Sequence, residues 1–442
     1  MRETFNPFNK GFEKVTSTDL EILKSVAEGW YVEYKRQKPN GKSIAKSISS
    51  FANSHGGIYF IGIEADPETN CALNILGVDN PPDVIRDSVR GHLQPFPFFV
   101  TYAINLPNGK KVLMVVVPEG KDPPYIHSDG KIYRRQESAS DPIPETNRHT
   151  IDELYKKAEG YEKELENFRT FDLSFCRGEE EISFLEIFAN ISPFKHILID
   201  GFFTVENLKK VFERFNSSYN AEEMVSDNKV SFSGSMKFDS LNTYHDSVSL
   251  RLLENQNLAY NGTTLILDIF GNVKLLMPIN EKHPSSKGLG EAYINVLNRS
   301  QKDSISSVRF LDAGQIIGAV FGLIINYVKY LDEMKYRGAH SGTIEIKIRL
   351  VNCYRTTLYI ESKKFIEYVE EFGVPICMKS TQYFPFFPFT LKINKIKLNP
   401  ITNCLAIFSH IASALGVPYH IAMISVIEEI QNNNPLALKK SV

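Results

Sequence analysis

Cysteine is scarce: the 442-residue chain has five, at 71, 176, 353, 377 and 404, and no CxxC pair. A zinc ribbon and a thioredoxin-type redox centre are therefore excluded. So few scattered thiols fit a reducing, cytoplasmic compartment without a disulfide framework. The histidines show no HxH or HxxxH spacing, so zinc is not expected. Neither charge sign dominates, since 50 basic and 52 acidic side chains leave a net charge of −2. That excludes coating nucleic acid by bulk charge and leaves only a local patch for it. Long apolar runs are missing as well. The longest, Ile316 to Val328, falls short of the ~20 residues a membrane span needs and is expected to be a buried helix. The N-terminal residues lack an apolar signal core. A soluble protein without a membrane partner is the expectation.

What is present is ordinary globular composition, 43% hydrophobic and 23% charged, which excludes disorder over most of the chain. The length suggests roughly three domains. Residues 1–157 alternate helix and strand patterns. Thr18-x-x-Glu21 reads as a capping box opening a helix through Leu20 and Leu23. Tyr31–Lys35 reads as a short strand. Ile44, Ala45, Ile48, Phe51 and Ala52 recur at helical spacing, stopped by Gly56-Gly57. Ile58–Ile63 and Val112–Val117 read as buried strands, and Lys131–Arg135 as another. Residues 158–181 read as a charged linker, helical or extended. Residues 182–300 and 301–442 read as further α/β domains of unknown type. There Ile344, Ile346, Ile348 and Leu350 alternate as a half-buried strand, 405–430 reads as helix broken at Gly416 and Pro418, and the Asn/Ser-rich stretch 216–235 reads as loops. The fold class is α/β (α+β), with a mixed sheet and flanking helices in the first domain.

The chemistry concentrates in Glu28-Gly29-Trp30-Tyr31-Val32-Glu33-Tyr34-Lys35. Glu28 and Glu33 are five apart, which fits neither one helix face nor one strand face. They meet only if Glu28 ends one element, Gly29 turns the chain and Glu33 lies on a strand. Glu33 and Lys35 then share a face. Glu64 and Asp66 follow the strand Ile58–Ile63 and share a face if that strand continues. Pairing of the two strands would gather three carboxylates and a lysine, a set suited to Mg²⁺ or Mn²⁺ and phosphodiester hydrolysis. A solvated strand face is the plainer reading of the same residues.

Four segments together resemble the Schlafen AlbA_2 domain. Glu28-x4-Glu33-Tyr34-Lys35 is similar to the family's Glu-Ser-x-x-x-Glu-Phe-Lys. Phe51-Ala52-Asn53-Ser54-His55-Gly56-Gly57, running on to Gly62-Ile63, is similar to its AFANTxGGxxxxGV. Ile75-Leu76-Gly77-Val78 matches its IxGV step, and Pro123-Pro124-Tyr125 with Tyr133-Arg134-Arg135-Gln136-Glu137-Ser138-Ala139-Ser140 resembles its closing segment. The resemblance covers about the first third of the chain. It implies a nucleic-acid-processing protein, in some members a divalent-metal-dependent endoribonuclease acting on structured RNA such as tRNA, with a role in antiphage defence. By that resemblance Glu28 and Glu33 are the first two acids, Glu64 or Asp66 the third, Lys35 the lysine, and Arg134 or Arg135 positions the RNA backbone. The chain departs from the pattern at Gly29, which stands where serine is common, and in a shorter segment between Lys35 and Ile44.

Other motifs carry less. Gly41-Lys42-Ser43 looks like the end of a P-loop, but Arg36 stands where the first glycine belongs, so ATP is not expected. Lys42 remains a candidate phosphate contact at a helix start. Tyr383-Phe384-Pro385-Phe386-Phe387-Pro388-Phe389 with Lys392, Lys395 and Lys397 reads as core, a base-stacking patch or a dimer contact. The alternatives to the nuclease are a non-catalytic nucleic-acid- or ATP-binding regulator and a homo-oligomeric scaffold.

Overall fold

The structure is a computed structural model. It describes the chain apart from residues 1–4, 9, 137–138, 170–178, 193–197, 200, 226–227, 253–261, 285–287, 301–308, 335–342, 380, 385–389 and 434–442. The chain divides into two compact units, Met1–Thr170 and Phe171–Val442.

Unit 1 opens with two 3-10 segments, Phe12–Lys14 and Asp19–Ser25. The expected capping box does not form. Thr18 makes no capping bond, and Asp19 instead accepts from the Thr16 N–H at 2.7 Å, which favours a tight turn over an α-helical start. There follow β1 (Val32–Lys35), α1 (Gly41–Ala52), β2 (Gly57–Ile61), β3 (Ile63–Ala65), β4 (Ala72–Ile75), α2 (Asp83–Val89), β5 (Leu93–Gln94), β6 (Val100–Asn105), β7 (Lys111–Val117), β8 (Ile126–His127), β9 (Tyr133–Gln136), β10 (Ala139–Pro144) and α3 (Arg148–Arg169). The main sheet has the order β1-β2-β7-β6, with β1 parallel to β2 and the other pairs antiparallel. Strand alternation sends Tyr59, Ile61 and Val115 into one core with Ile44, Ile48 and Phe51 of α1. It sends Ile58, Phe60 and Met114 into a second core with Leu20 and Leu23. Both sheet faces are thus covered.

The strand expected over Ile58–Ile63 does not run straight. It breaks at Gly62, where φ is +101° and an added Cβ would lie 2.8 Å from the Gly77 Cα. Only glycine combines that backbone angle with that close approach. Beyond it, β3 pairs antiparallel with β4.

Unit 2 contains β11 (Phe184–Ser192), α4 (Val205–Asn216), β12 (Ser218–Val225), β13 (Asn228–Ser235), β14 (Ser240–Thr243), β15 (Ser247–Leu252), β16 (Thr263–Asp268) and β17 (Val273–Pro278). It continues with α5 (Leu289–Ser300), β18 (Arg309–Asp312), α6 (Ala313–Glu333), β19 (Thr343–Val351), β20 (Thr356–Tyr359), α7 (Lys363–Phe372), β21 (Thr381–Phe384), β22 (Thr390–Lys392), α8 (Ile393–Leu398), α9 (Pro400–Ala414) and α10 (Tyr419–Asn433). One sheet of order β14-β15-β16-β17-β11-β19-β21 joins strands from both sides of residue 300. Helix α6, the apolar run of the sequence, packs in the core of this unit with Ile316, Val320, Leu323 and Tyr327 buried. The stretch 216–235 is not a set of loops. β12 and β13 form a hairpin, burying Tyr219, Ala221, Val225 and Val230. Its alternation is diluted by Asn, Ser and Glu on the solvent side, which hides the strand period.

Glu429 of α10 points at Lys282 across 3.7 Å, with Asp312 at 3.9 Å and Glu361 at 3.8 Å from the same ammonium. Burial, opposed by Lys282 and reinforced by Asp312 and Glu361, pushes its pKa up from 4.5 to about 7. The folded chain therefore holds a proton there that the unfolded chain has released. Stability of unit 2 should fall as pH rises from about 4.5 to about 7 and level off above that. Urea unfolding across that range should show the slope, and Glu429→Gln should flatten it.

Candidate functional site

The site is built where β1, α1 and β9 meet. In register, Glu33 lies beside Tyr59 and Lys35 beside Ile61 on the α1 side of the sheet. Glu33 is wholly buried. Its Oε1 accepts from the Ser47 hydroxyl of α1 at 2.9 Å and lies 2.9 Å from the Lys35 ammonium. Its Oε2 accepts from the Arg135 Nη1 at 3.0 Å. Arg135, on β9, is 1% exposed. Its Nε and Nη2 donate to the Gly29 carbonyl, Nη2 reaches the Val32 carbonyl at 3.4 Å, and the guanidinium lies 4.8 Å from the Phe51 ring centre. Its backbone N–H donates to the Ser54 hydroxyl at 2.9 Å. Burial draws the Arg135 pKa down, while Glu33, Glu28 and Asp141 pull it back up.

Glu28 occupies the open edge of β1. Its Oε1 accepts from the Tyr34 N–H at 2.6 Å, taking a donor that a further strand would otherwise use. Burial pushes its carboxyl pKa up, against the Tyr34 N–H and Lys35. Lys35 is held between Glu33 and the exposed Asp141, 3.7 Å away. Burial works against its charge, yet Glu33, Glu28 and Asp141 lift its pKa above the ordinary value.

The other residues of interest lie elsewhere. Glu64 pairs with Arg36 at 3.0 Å and accepts from Asn74 at 2.9 Å. Asp66 caps a turn, accepting from the Glu68 and Thr69 N–H groups, which hold its pKa below the usual value. Glu64 and Asp66 are thus engaged by Arg36, Asn74 and turn amides, whereas Glu33 is engaged by Ser47, Lys35 and Arg135, so the three acids share no partner. Among the described residues no group of three or more His, Cys, Asp or Glu could hold a metal ion. As arranged, the acids do not fit Mg²⁺ or Mn²⁺: the one fully buried carboxylate is enclosed by an arginine, a lysine and a serine, whereas magnesium needs oxygens in a near-octahedral shell. Arg134 faces away from Arg135 and pairs with Glu145 at 3.3 Å. Glu137 and Ser138 lie outside the described residues, as does 385–389 of the aromatic stretch.

Lys42 is exposed in the first turn of α1, whose N-cap Asn40 accepts from the Ser43 N–H. Gly41 is there for packing, since a Cβ would sit 2.1 Å from the Ser88 carbonyl oxygen. Sequence reasoning missed Ser47, Ser54 and Lys46. Ser47 falls on the buried face with Ile44, Ile48 and Phe51, and a hydroxyl on an apolar face is a signal that a polar partner waits there. Lys46 follows Lys42 by one turn and lies 5.0 Å over the Tyr133 ring centre.

Removing Arg135 leaves a buried carboxylate with one partner fewer. Arg135→Ala should destabilise unit 1 by about 3–5 kcal/mol, and Glu33→Leu/Arg135→Met should recover much of that loss. Trp30, the chain's single tryptophan, lies in unit 1, so denaturant titration followed by its fluorescence reads this unit alone.

The comparisons with known proteins bear on this unit. No curated protein matches the chain. Among solved structures, the N-terminal domain of a RecG-related protein from Nitrosomonas europaea is 24% identical, with 30% of this chain and 97% of that chain covered and a TM-score of 0.24. The DIP2311 protein from Corynebacterium diphtheriae is 20% identical, with 28% of this chain but only 25% of that chain covered and a TM-score of 0.22. The family model described as Schlafen, AlbA_2 matches residues 28–144, a span that opens at Glu28 and takes in Glu33, Lys35 and Arg135. The N-terminal unit of this chain carries a Schlafen AlbA_2 domain.

Proposed function

We propose that unit 1 is a nucleic-acid-binding module that grips a phosphate backbone along the ridge of α1 and β9. The observation carrying this reading is the basic row on α1. Lys42 and Lys46 stand one turn apart, and no ion pair involves either among the described residues. Lys46 is steadied over Tyr133, and the first turn of α1 holds no acidic residue. Backbone phosphates are recognised by such rows together with a helix N-terminus. The near-zero net charge of the chain confines binding to this patch, and the family points the same way.

The finer reading is a divalent-metal-dependent endoribonuclease acting on structured RNA such as tRNA, working through Glu28, Glu33 and Lys35. It asks Glu33 to give up an enclosed set of partners, so binding without cleavage is the better supported role. The chain then acts as a regulator that holds nucleic acid.

Fluorescence anisotropy of the full chain with a labelled structured RNA and a labelled DNA duplex tests this. Lys42→Ala/Lys46→Ala should weaken binding several-fold at low salt and lower the salt slope by about one per lysine removed. Binding that is absent at low salt, or untouched by the double variant, overturns the reading. RNA cleavage in Mn²⁺ by the wild type, lost in Glu33→Gln, would establish the nuclease instead.

A further inference from the structure

We infer that Arg135 is a resident cation of the Glu28–Glu33 site, so that unit 1 takes up no divalent ion there. The first argument is the oxygen shell. The guanidinium gathers the Gly29 carbonyl, the Val32 carbonyl and a Glu33 carboxylate oxygen, the kinds of oxygen a hard cation collects. Those oxygens come from the turn and strand that a metal would otherwise bind together. The second argument is charge. Two cations already face the buried Glu33 carboxylate, Arg135 at Oε2 and Lys35 at Oε1. A divalent ion at Glu33 would bring two more positive charges against those two, at the expense of dehydrating itself. The third argument is fixation. Arg135 is held at its backbone by Ser54 and across its plane by Phe51, and its side chain is fully buried, so it is not a surface arginine that swings aside. Four of the five guanidinium N–H groups have protein acceptors, which leaves little reason for the group to leave.

The test contains no nucleic acid, so its outcome is independent of nucleic-acid binding. Metal-stripped full-length protein is titrated with Mn²⁺ and free ion is followed by electron paramagnetic resonance, with thermal unfolding read by Trp30 fluorescence in Mn²⁺ and in EDTA. Wild type and Glu33→Gln should take up the same amount of Mn²⁺, and the wild-type Trp30 transition should not move between the two conditions. Uptake of one Mn²⁺ per wild-type chain that disappears in Glu33→Gln overturns the inference, and this comparison decides it even where an arginine variant fails to fold. Arg135→Ala, where it folds, should gain an Mn²⁺-dependent rise in its Trp30 transition that Glu33→Gln/Arg135→Ala lacks. A folded Arg135→Ala that gains none shows that the guanidinium does not fill a cation's place.

Discussion

A carboxylate cannot be buried without an opposite charge and a full set of hydrogen bonds. Glu33 meets that demand with a partner 102 positions away in sequence, and much of unit 1 follows from it. The pair fastens the edge strand β1 to β9, while Ser47 ties the same carboxylate to α1. Arg135 also holds the Gly29 and Val32 carbonyls, so one side chain fixes both the turn that enters β1 and the strand itself. Glu28, placed by that turn, closes the other edge of β1 through the Tyr34 N–H. The turn, the strand edge and the middle of α1 therefore share one electrostatic anchor. Satisfied in full, such a network rigidifies its surroundings; missing one member, it becomes the most damaging defect in the unit.

Gly62 is the second constraint. A strand continuing past Ile61 in the same register would set Glu64 beside Lys38, on the face opposite Glu33 and Lys35. The glycine instead lets the chain pass within contact of Gly77 and turn into the β3–β4 pair. Glu64 is then balanced by Arg36 and Asn74, and Asp66 spends its oxygens on a turn. Four acidic residues that look equivalent in the sequence thus fall into different roles: an edge cap, a buried anchor, a surface pair and a turn cap.

Local pattern was enough for much of the fold. The apolar spacing of Ile44, Ile48 and Phe51 places α1, the run Val112–Val117 places an interior strand, and the alternation of Ile344 to Leu350 places β19. The shared face of Glu33 and Lys35 follows from strand period as well. The burial of that face was not legible, because two charged residues in alternation look the same whether they face water or an arginine. The partner comes from a distant strand, and nothing near Glu33 announces it. Residues 158–169, expected as part of a charged linker either helical or extended, are helical and continue α3. Its solvent side is rich in Glu and Lys, and a helix can carry such a face where Leu154 and Leu165 supply the buried stripe.

Unit 2 uses the same device in a different sheet. Glu186 on β11 is wholly buried and stands directly across from Arg349 on β19, whose Nη2 donates to it at 2.7 Å. The strands are 163 residues apart at that pair. Slipping either sheet by one residue would move the carboxylate to the opposite face and leave the arginine without its acceptor. The same slip would carry Glu345 and Lys347 of β19 into the places of its buried isoleucines, so the apolar face resists it too. A single enclosed Glu–Arg pair penalises it heavily, because each charge would remain buried without its partner. In unit 1 that pair fixes how β9 lies against α1 and β1, and with it the place of Tyr133 beneath Lys46. The geometry of the basic ridge is set by the acid buried beneath it.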